Sequence, residues 1–179
     1  MRFLLSPFLR EIVVLADKYH ERIQQIFAKY PDRRSAVMPL LYLAQEEYGW
    51  ITPEAAEEIA KLCEIDRTQV NSIAGFYTMF RESPKGKYWL HVCTDLPCAL
   101  RGADKFYQDL LDYLKVEDGG TTDDKLFTVE HVMCLAACDR APMLQCNFHY
   151  HENLDIDKVK ALIAQWRAEA ASAAQAPAH

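Results

Sequence analysis

Four cysteines constrain this chain most: Cys93-x4-Cys98, a gap of 35 residues, then Cys134-x3-Cys138. Each pair follows an apolar run with the period of a strand. Before the first, Tyr88, Leu90 and Val92 alternate with Trp89 and His91; before the second lies "LFTVEHV" (126–132). Between the pairs, residues 98–116 have helical spacing, with Phe106, Leu110, Tyr113 and Leu114 on the inward face. A strand, a helix and a second strand imply a parallel pair joined by a right-handed crossover. Loops at the carboxyl ends of adjacent parallel strands lie at one edge of the sheet, so the spacing predicts that the four thiols converge.

Four convergent thiolates hold tetrahedral zinc or an iron–sulfur cluster. Zinc fingers and ribbons favour two-residue gaps, which wrap both sulfurs of a pair around one ion. Gaps of four and three residues span a wider object more easily, and a [2Fe–2S] rhomb takes two sulfurs on each of two irons. The spacing thus favours the cluster and leaves zinc open. A plant-type ferredoxin would need a third cysteine close to the first C-x4-C, and here it is missing. A thioredoxin-like redox dithiol needs C-x-x-C, and C-x4-C sets its sulfurs too far apart. Four unrelated buried cysteines would have to fall at one end of a sheet by coincidence. Cys63 reads as a core residue of a helix, and Cys146 as a core residue of a third strand, "MLQCNFHY" (143–150), with Leu144 and Phe148 on its side. His91 and His131 raise a Rieske-like His₂Cys₂ site, but each reads better as a strand side chain.

Upstream the period is helical. Leu9, Ile12, Val13, Ala16, Tyr19, Ile23, Ile26, Phe27 and Tyr30 predict one amphipathic helix over 9–30, ended by Pro31. A second is expected over about 35–48, with Pro39 in its first turn and Gly49 closing it. Thr52 and Pro53 open a third over "TPEAAEEIAKLC" (52–63). Asp66 opens a fourth, with Gln69 three residues on as a capping-box variant. "ESPKGK" (82–87) then separates the helical period from the strand period. Past the third strand, "HEN" (151–153) reads as a turn and 155–171 as a final helix, with Val159, Leu162, Ile163 and Trp166 inward. Strand, helix, strand, strand, helix suits a small α/β sandwich of thioredoxin type. The expected fold class is therefore α/β (α+β): a four-helix region over 1–82, then a thioredoxin-like domain over 83–170 that carries the four cysteines. An Ala-rich tail over 171–179 has little to bury and is expected to fray.

Composition excludes several functions. A net charge of −6 without any Lys/Arg run argues against a nucleic-acid or anionic-membrane surface. Residues 87–179 hold 14 of the 26 acidic but only 9 of the 20 basic side chains, so the cysteine-rich half is not built to attract anions. The first twenty residues start like a secretory signal, but Ser6, Pro7, Arg10 and Glu11 interrupt it and no small-residue cleavage site follows. They read as the lead-in to a helix. No apolar run approaches the ~20 residues of a membrane span. The expected compartment is reducing, where such cysteines are metal ligands or catalytic rather than disulfides. With 6 glycines, no glycine-rich turn follows a strand to cradle a pyrophosphate, so the chain is expected to bind neither NAD nor flavin itself. Walker-loop and G-x-S-x-G patterns are also missing. A redox centre with no substrate pocket signature must exchange electrons with a partner.

The cysteine spacing, with "GFYTMF" (75–80), "GKYWLHVCTDLPCALRGA" (86–103) and "CLAACDRAP" (134–142), closely resembles the NuoE-type [2Fe–2S] subunit family of respiratory complex I, NADH:quinone oxidoreductase. Its relatives are the small [2Fe–2S] subunits of NAD-linked hydrogenases and formate dehydrogenases. The resemblance covers nearly the whole chain apart from the Ala-rich tail. It implies a [2Fe–2S] cluster held by Cys93, Cys98, Cys134 and Cys138. It also implies a NuoF-type flavoprotein partner that binds FMN and NADH, with one electron exchanged between cluster and flavin. By the same resemblance the chain is cytoplasmic, peripheral on the inner face of the cell membrane through its complex, and inactive as a catalyst alone. One departure stands out: the family often has C-L-G-x-C where this chain has Cys134-Leu135-Ala136-Ala137-Cys138. It bears on the backbone of that loop and its N–H···S pattern, not on the ligands. Four thiolates, two ferric ions and two sulfides sum formally to about −2, and to about −3 on reduction. Asp95 and Asp139 beside the ligands should then keep the potential low, and Arg101 and Arg140 either offset this in part or lie as solvated charges.

Overall fold

Helix caps organise the first half of the chain and strand pairing the second. The chain divides into two units, Met1–Pro84 and Lys85–His179, and the computed structural model describes residues 15–175 of it. In the first unit, α1 (Leu15–Lys18) and α2 (His20–Phe27) occupy part of the span expected as one helix. Tyr19 interrupts it at φ −116°, ψ 25°, and its hydroxyl donates to Glu47. Residues 9–14 of that expected helix, and the lead-in before them, lie outside the described residues. The N–H groups of Leu15 and Ala16 donate to the Glu58 carboxylate at 3.0 and 2.7 Å, which ties α1 to a segment distant in sequence.

A 3-10 turn over Arg33–Ala36 leads into α3 (Val37–Tyr48), which Gly49 closes at φ 80°, a left-handed conformation that glycine adopts without strain. α4 (Pro53–Cys63) starts at Thr52, whose hydroxyl accepts from Ala55 N–H at 3.1 Å. α5 (Arg67–Phe76) starts at Asp66, which accepts from Thr68 N–H at 2.7 Å. Leu40, Leu41, Ile59, Cys63 and Val70 fill the space these helices enclose.

The second unit holds β1 (Tyr88–Cys93), β2 (Phe127–Val132), β3 (Leu144–Cys146) and β4 (His149–His151), side by side in the order β2-β1-β3-β4. β1 runs parallel to β2, from Tyr88 opposite Phe127 to Cys93 opposite Val132, and antiparallel to β3, which pairs antiparallel with β4. Tyr88, Leu90 and Val92 pack with residues of α7 (Ala103–Leu114) and α8 (Ile156–Gln175) in one core. The alternation in β1 does not separate a wet face from a dry one: all six residues are buried, as suits a strand paired on both sides.

In the second unit the structure corrects the sequence expectations in four places. The helix expected over 98–116 is two: α6 (Leu96–Ala99) and α7, separated at Gly102, which sits at φ 91°. Tyr113 is exposed, while Tyr107 and Leu111 take inward positions. The third strand is a tight hairpin, because Asn147 turns the chain at φ 52° and leaves Phe148 64% exposed rather than beside Cys146. Finally, α8 runs on through residues 171–175 of the expected tail. Alanine is the best helix former, so it extends a helix already nucleated without needing burial; residues 176–179 lie outside the described ones.

Candidate metal centre

Each of the four cysteines is delivered by a different local device. Cys93 is the last residue of β1 and is buried; its N–H donates to the Met143 carbonyl at 3.4 Å. Cys98 lies in α6, a single turn opened by Asp95, whose carboxylate accepts from Leu96 N–H at 2.9 Å, with Pro97 in its first positions. Cys134 follows β2 and is exposed, and Cys138 opens a 3-10 turn over Cys138–Arg140 and is half-buried. Since β1 and β2 are parallel neighbours in register, both loops leave the sheet at the same edge.

The second loop turns at Ala136, whose φ is 57° and whose N–H donates to Cys134 Sγ at 3.4 Å. A left-handed φ explains physically why glycine suits this position. With alanine the turn is kept at a steric cost of roughly 1 kcal/mol.

The thiols sense one another in two pairs. Burial, then a hydrogen bond with Cys93 and the charges of Cys93, Cys138 and Cys134, pushes Cys98 up to about 12. Burial, then a hydrogen bond with Cys134 and the charges of Cys134, Cys93 and Asp95, raises Cys138. Cys98 thus responds most to Cys93 and Cys138 most to Cys134, and the pairs act on each other through charge. Among the described residues, no three His, Cys, Asp or Glu side chains gather closely enough to hold a single metal ion. Thiols as reluctant to ionise as those of Cys98 and Cys138 become thiolates readily only when cationic charge is supplied beside them.

Around Cys93 and Cys98 lie Ala103, Ala141 and Met143, with Leu135 and Ala137 packed against them, a small apolar shell. Outside it, the residues flanking the cysteines present Leu96, Leu100 and Met133 to solvent, Leu100 being 81% exposed. The charged neighbours are engaged. Asp95 is a helix cap, and Arg140 pairs with Glu152 at 2.8 Å and Asp139 at 3.6 Å. Arg101 Nη1 donates to the carbonyls of Asp139 and Cys138, at 2.6 and 3.4 Å. Neither arginine is simply a solvated charge. The link made by Arg101 depends on tertiary placement and had no signal in the sequence beyond its position three residues after Cys98.

Both histidines raised by the sequence are engaged with carboxylates. His91 is buried with Nε2 3.7 Å from Glu130, and His131 Nδ1 lies 2.7 Å from Asp118. Burial opposes ionisation of Glu130, but hydrogen bonds from His91 and Lys85, the Lys85 charge and a hydrogen bond from Trp89 outweigh it and hold the carboxyl at about 2. Cys63 and Cys146 are buried, and burial lifts their thiols to about 11 and about 12, as fits inert core residues.

Comparison with known proteins agrees with this geometry. Residues 23–167 match the family described as thioredoxin-like [2Fe-2S] ferredoxin. The chain is 40% identical over 148 residues to an NADH-quinone oxidoreductase subunit of Rhizobium meliloti (strain 1021), covering 83% of this chain and 88% of that one. It is 42% identical over 155 residues to NADH-quinone oxidoreductase subunit 2 of Thermus thermophilus, covering 85% and 86%. Among solved structures, an NAD+-reducing [NiFe]-hydrogenase in the air-oxidized state superposes with a TM-score of 0.63 at 22% identity, over 73% of this chain. That likeness is one of fold, and the chain spans 23% of the hydrogenase chain's length.

Proposed function

The chain belongs to the thioredoxin-like [2Fe-2S] ferredoxin family, and on that premise we propose that Cys93, Cys98, Cys134 and Cys138 hold one [2Fe–2S] cluster. In this reading the chain relays single electrons to and from the FMN of an NADH-binding flavoprotein subunit in an NADH-quinone oxidoreductase. The observation that carries the reading is geometric: Cys93 and Cys98 on one loop and Cys134 and Cys138 on the other leave the sheet at the same end of the parallel pair β1 and β2, and Arg101 joins the two loops, which suits a centre with two donors on each of two metals. When bound, the cluster supplies a one-electron redox couple. The chain's own residues anchor and orient it. Cys93 and Cys98 are a buried base, and Ala141, Met143 and Leu135 limit water at that side. Cys134 faces outward, where an electron partner can approach. Exposed Leu96, Leu100 and Met133 offer that partner an apolar rim beside the thiols.

Two solved structures of similar fold are NAD+-reducing [NiFe]-hydrogenases, but the relatives at 40% and 42% identity are quinone oxidoreductase subunits, which favours the latter host. Among the described residues no helix is long and apolar enough to cross a membrane; in this reading the chain is attached to the inner face of the cell membrane through its complex. Anaerobically purified full-length protein is expected to be reddish-brown, to contain about two irons, to give an EPR signal only after reduction, and to co-purify with a flavoprotein. A colourless protein holding one zinc sinks the cluster reading in favour of a zinc-stabilised interaction module. A loaded chain that never associates with a flavoprotein points instead to an independent ferredoxin.

A further inference from the structure

Arg101 stands between the two halves of the site. It lies in the turn that joins α6 to α7, yet its guanidinium reaches the second loop and donates to the Asp139 and Cys138 carbonyls at 2.6 and 3.4 Å. Among the described residues, these are the only hydrogen bonds joining 94–102 to 133–141. The far end of the second loop has other anchors, since Arg140 pairs with Glu152 and Asn153 N–H donates to the Arg140 carbonyl at 2.7 Å. The near end, residues 134–137, has the internal Ala136 N–H···Sγ bond. Cys138 lies where these supports meet, and Arg101 is what ties that point to the helix carrying Cys98.

We propose that Arg101 is a positioning residue with two effects, a proposal that rests on reading the centre as [2Fe–2S]. First, it straps the exposed thiol pair to the buried one before the cluster arrives, so that less freedom is lost when four sulfurs are fixed at once. Lysine would not replace it fully, because a guanidinium is a rigid planar fork that stays charged and here aims one nitrogen, Nη1, at both carbonyls, whereas an ammonium is a point charge on a flexible stem. Second, it sets a permanent positive charge beside Cys138. Reduction adds one negative charge to the centre, so a fixed cation there favours the reduced form and raises the potential.

Two variants of the full-length protein separate these effects: Arg101→Met removes strap and charge, and Arg101→Lys keeps the charge but not the fork. In the apoprotein, amide hydrogen exchange across 134–141 should be roughly tenfold faster in Arg101→Met, about what one charge-assisted hydrogen bond contributes. Exchange across 88–93 should not change. In protein reconstituted with iron and sulfide, transfer of iron to a chelator should be roughly tenfold faster in Arg101→Met. The midpoint potential should move to more negative values in Arg101→Met and stay near wild type in Arg101→Lys. Unchanged exchange in Arg101→Met overturns the strap, as does exchange that rises equally over 88–93 and 134–141, which would mark a general loss of stability. An unchanged potential in Arg101→Met overturns the charge effect. A wild-type protein that takes up only zinc sinks the cluster reading and the charge effect with it, and the apoprotein exchange then still supports or overturns the strap.

Discussion

Cys93 and Cys98 are each 1% exposed, whereas Cys134 is exposed and Cys138 half-buried. The first two are fixed by elements that must form for the second unit to fold at all: a central strand, paired on both sides and buried along its length, and the capped turn that follows it. The other two sit in a loop whose shape depends on a left-handed alanine, one N–H···S bond and a side chain reaching across from the first loop. One half of the centre is therefore a template completed by folding, while the other remains adjustable at the surface. A site that must be both loaded from outside and placed with accuracy gains from that division.

The sharpest way to break this comparison is thiol labelling of the apoprotein. Cys134 should be alkylated on the order of a thousandfold faster than Cys93 or Cys98, which must wait for β1 to open; a mass-spectrometric time course showing equal rates would refute a rigid half. The next effect concerns the charged network of β1 and β2, where Glu130 meets Lys85 and His91. The Glu130 carboxyl is held at about 2, below its ordinary 4.5, so its stabilisation is complete above pH 4.5 and is lost as pH falls through 2. Glu130→Gln should remove that acid dependence and, with solvent screening of a half-buried group allowed for, cost about 2 kcal/mol at neutral pH, read by urea unfolding. An unchanged unfolding midpoint would count against a network beneath β1.

A smaller difference is expected between ligand variants. Cys98→Ser should retain roughly tenfold less iron than Cys134→Ser, since a buried, fixed oxygen cannot adjust to the metal while an exposed loop can shift. Cys146→Ser, as a control, should leave the EPR spectrum intact, and equal iron content in all three would undo the ligand assignment. The smallest effect is that of Ala136→Gly. Relief of the left-handed strain, partly offset by greater freedom in the unfolded chain, should leave about 0.5 kcal/mol of stabilisation and slow iron release about twofold. Faster release would mean that alanine at 136 stiffens the loop usefully.

The features legible in the sequence were those with a local cause. Thr52, Asp66 and Gly49 announce helix ends because capping depends on a few adjacent residues. The meeting of the cysteine loops was legible because a strand, a helix and a strand allow little besides a parallel pair. The hairpin at Asn147 was hidden by an unbroken alternation of residue types, although asparagine tolerates φ > 0 and was the available turn signal. Here its side chain also accepts from Trp89 N–H at 3.1 Å and donates to the Lys87 carbonyl at 3.3 Å, contacts that only the assembled sheet creates. Burial of both faces of β1 and the reach of Arg101 were illegible for the same reason: each depends on segments tens of residues away.

The pairing of β1 with β2, Cys93 opposite Val132, has one more consequence. Successive strand side chains point to opposite faces, so a slip of a single residue would turn the Cys93 sulfur into the helices and bring Val92 to the edge in its place. Strand pairing thus acts as a gauge for the proposed donor set, applied while the chain folds and before any metal is bound. A misaligned chain would fail as an empty subunit rather than as a wrongly loaded one, a fault that quality control can discard.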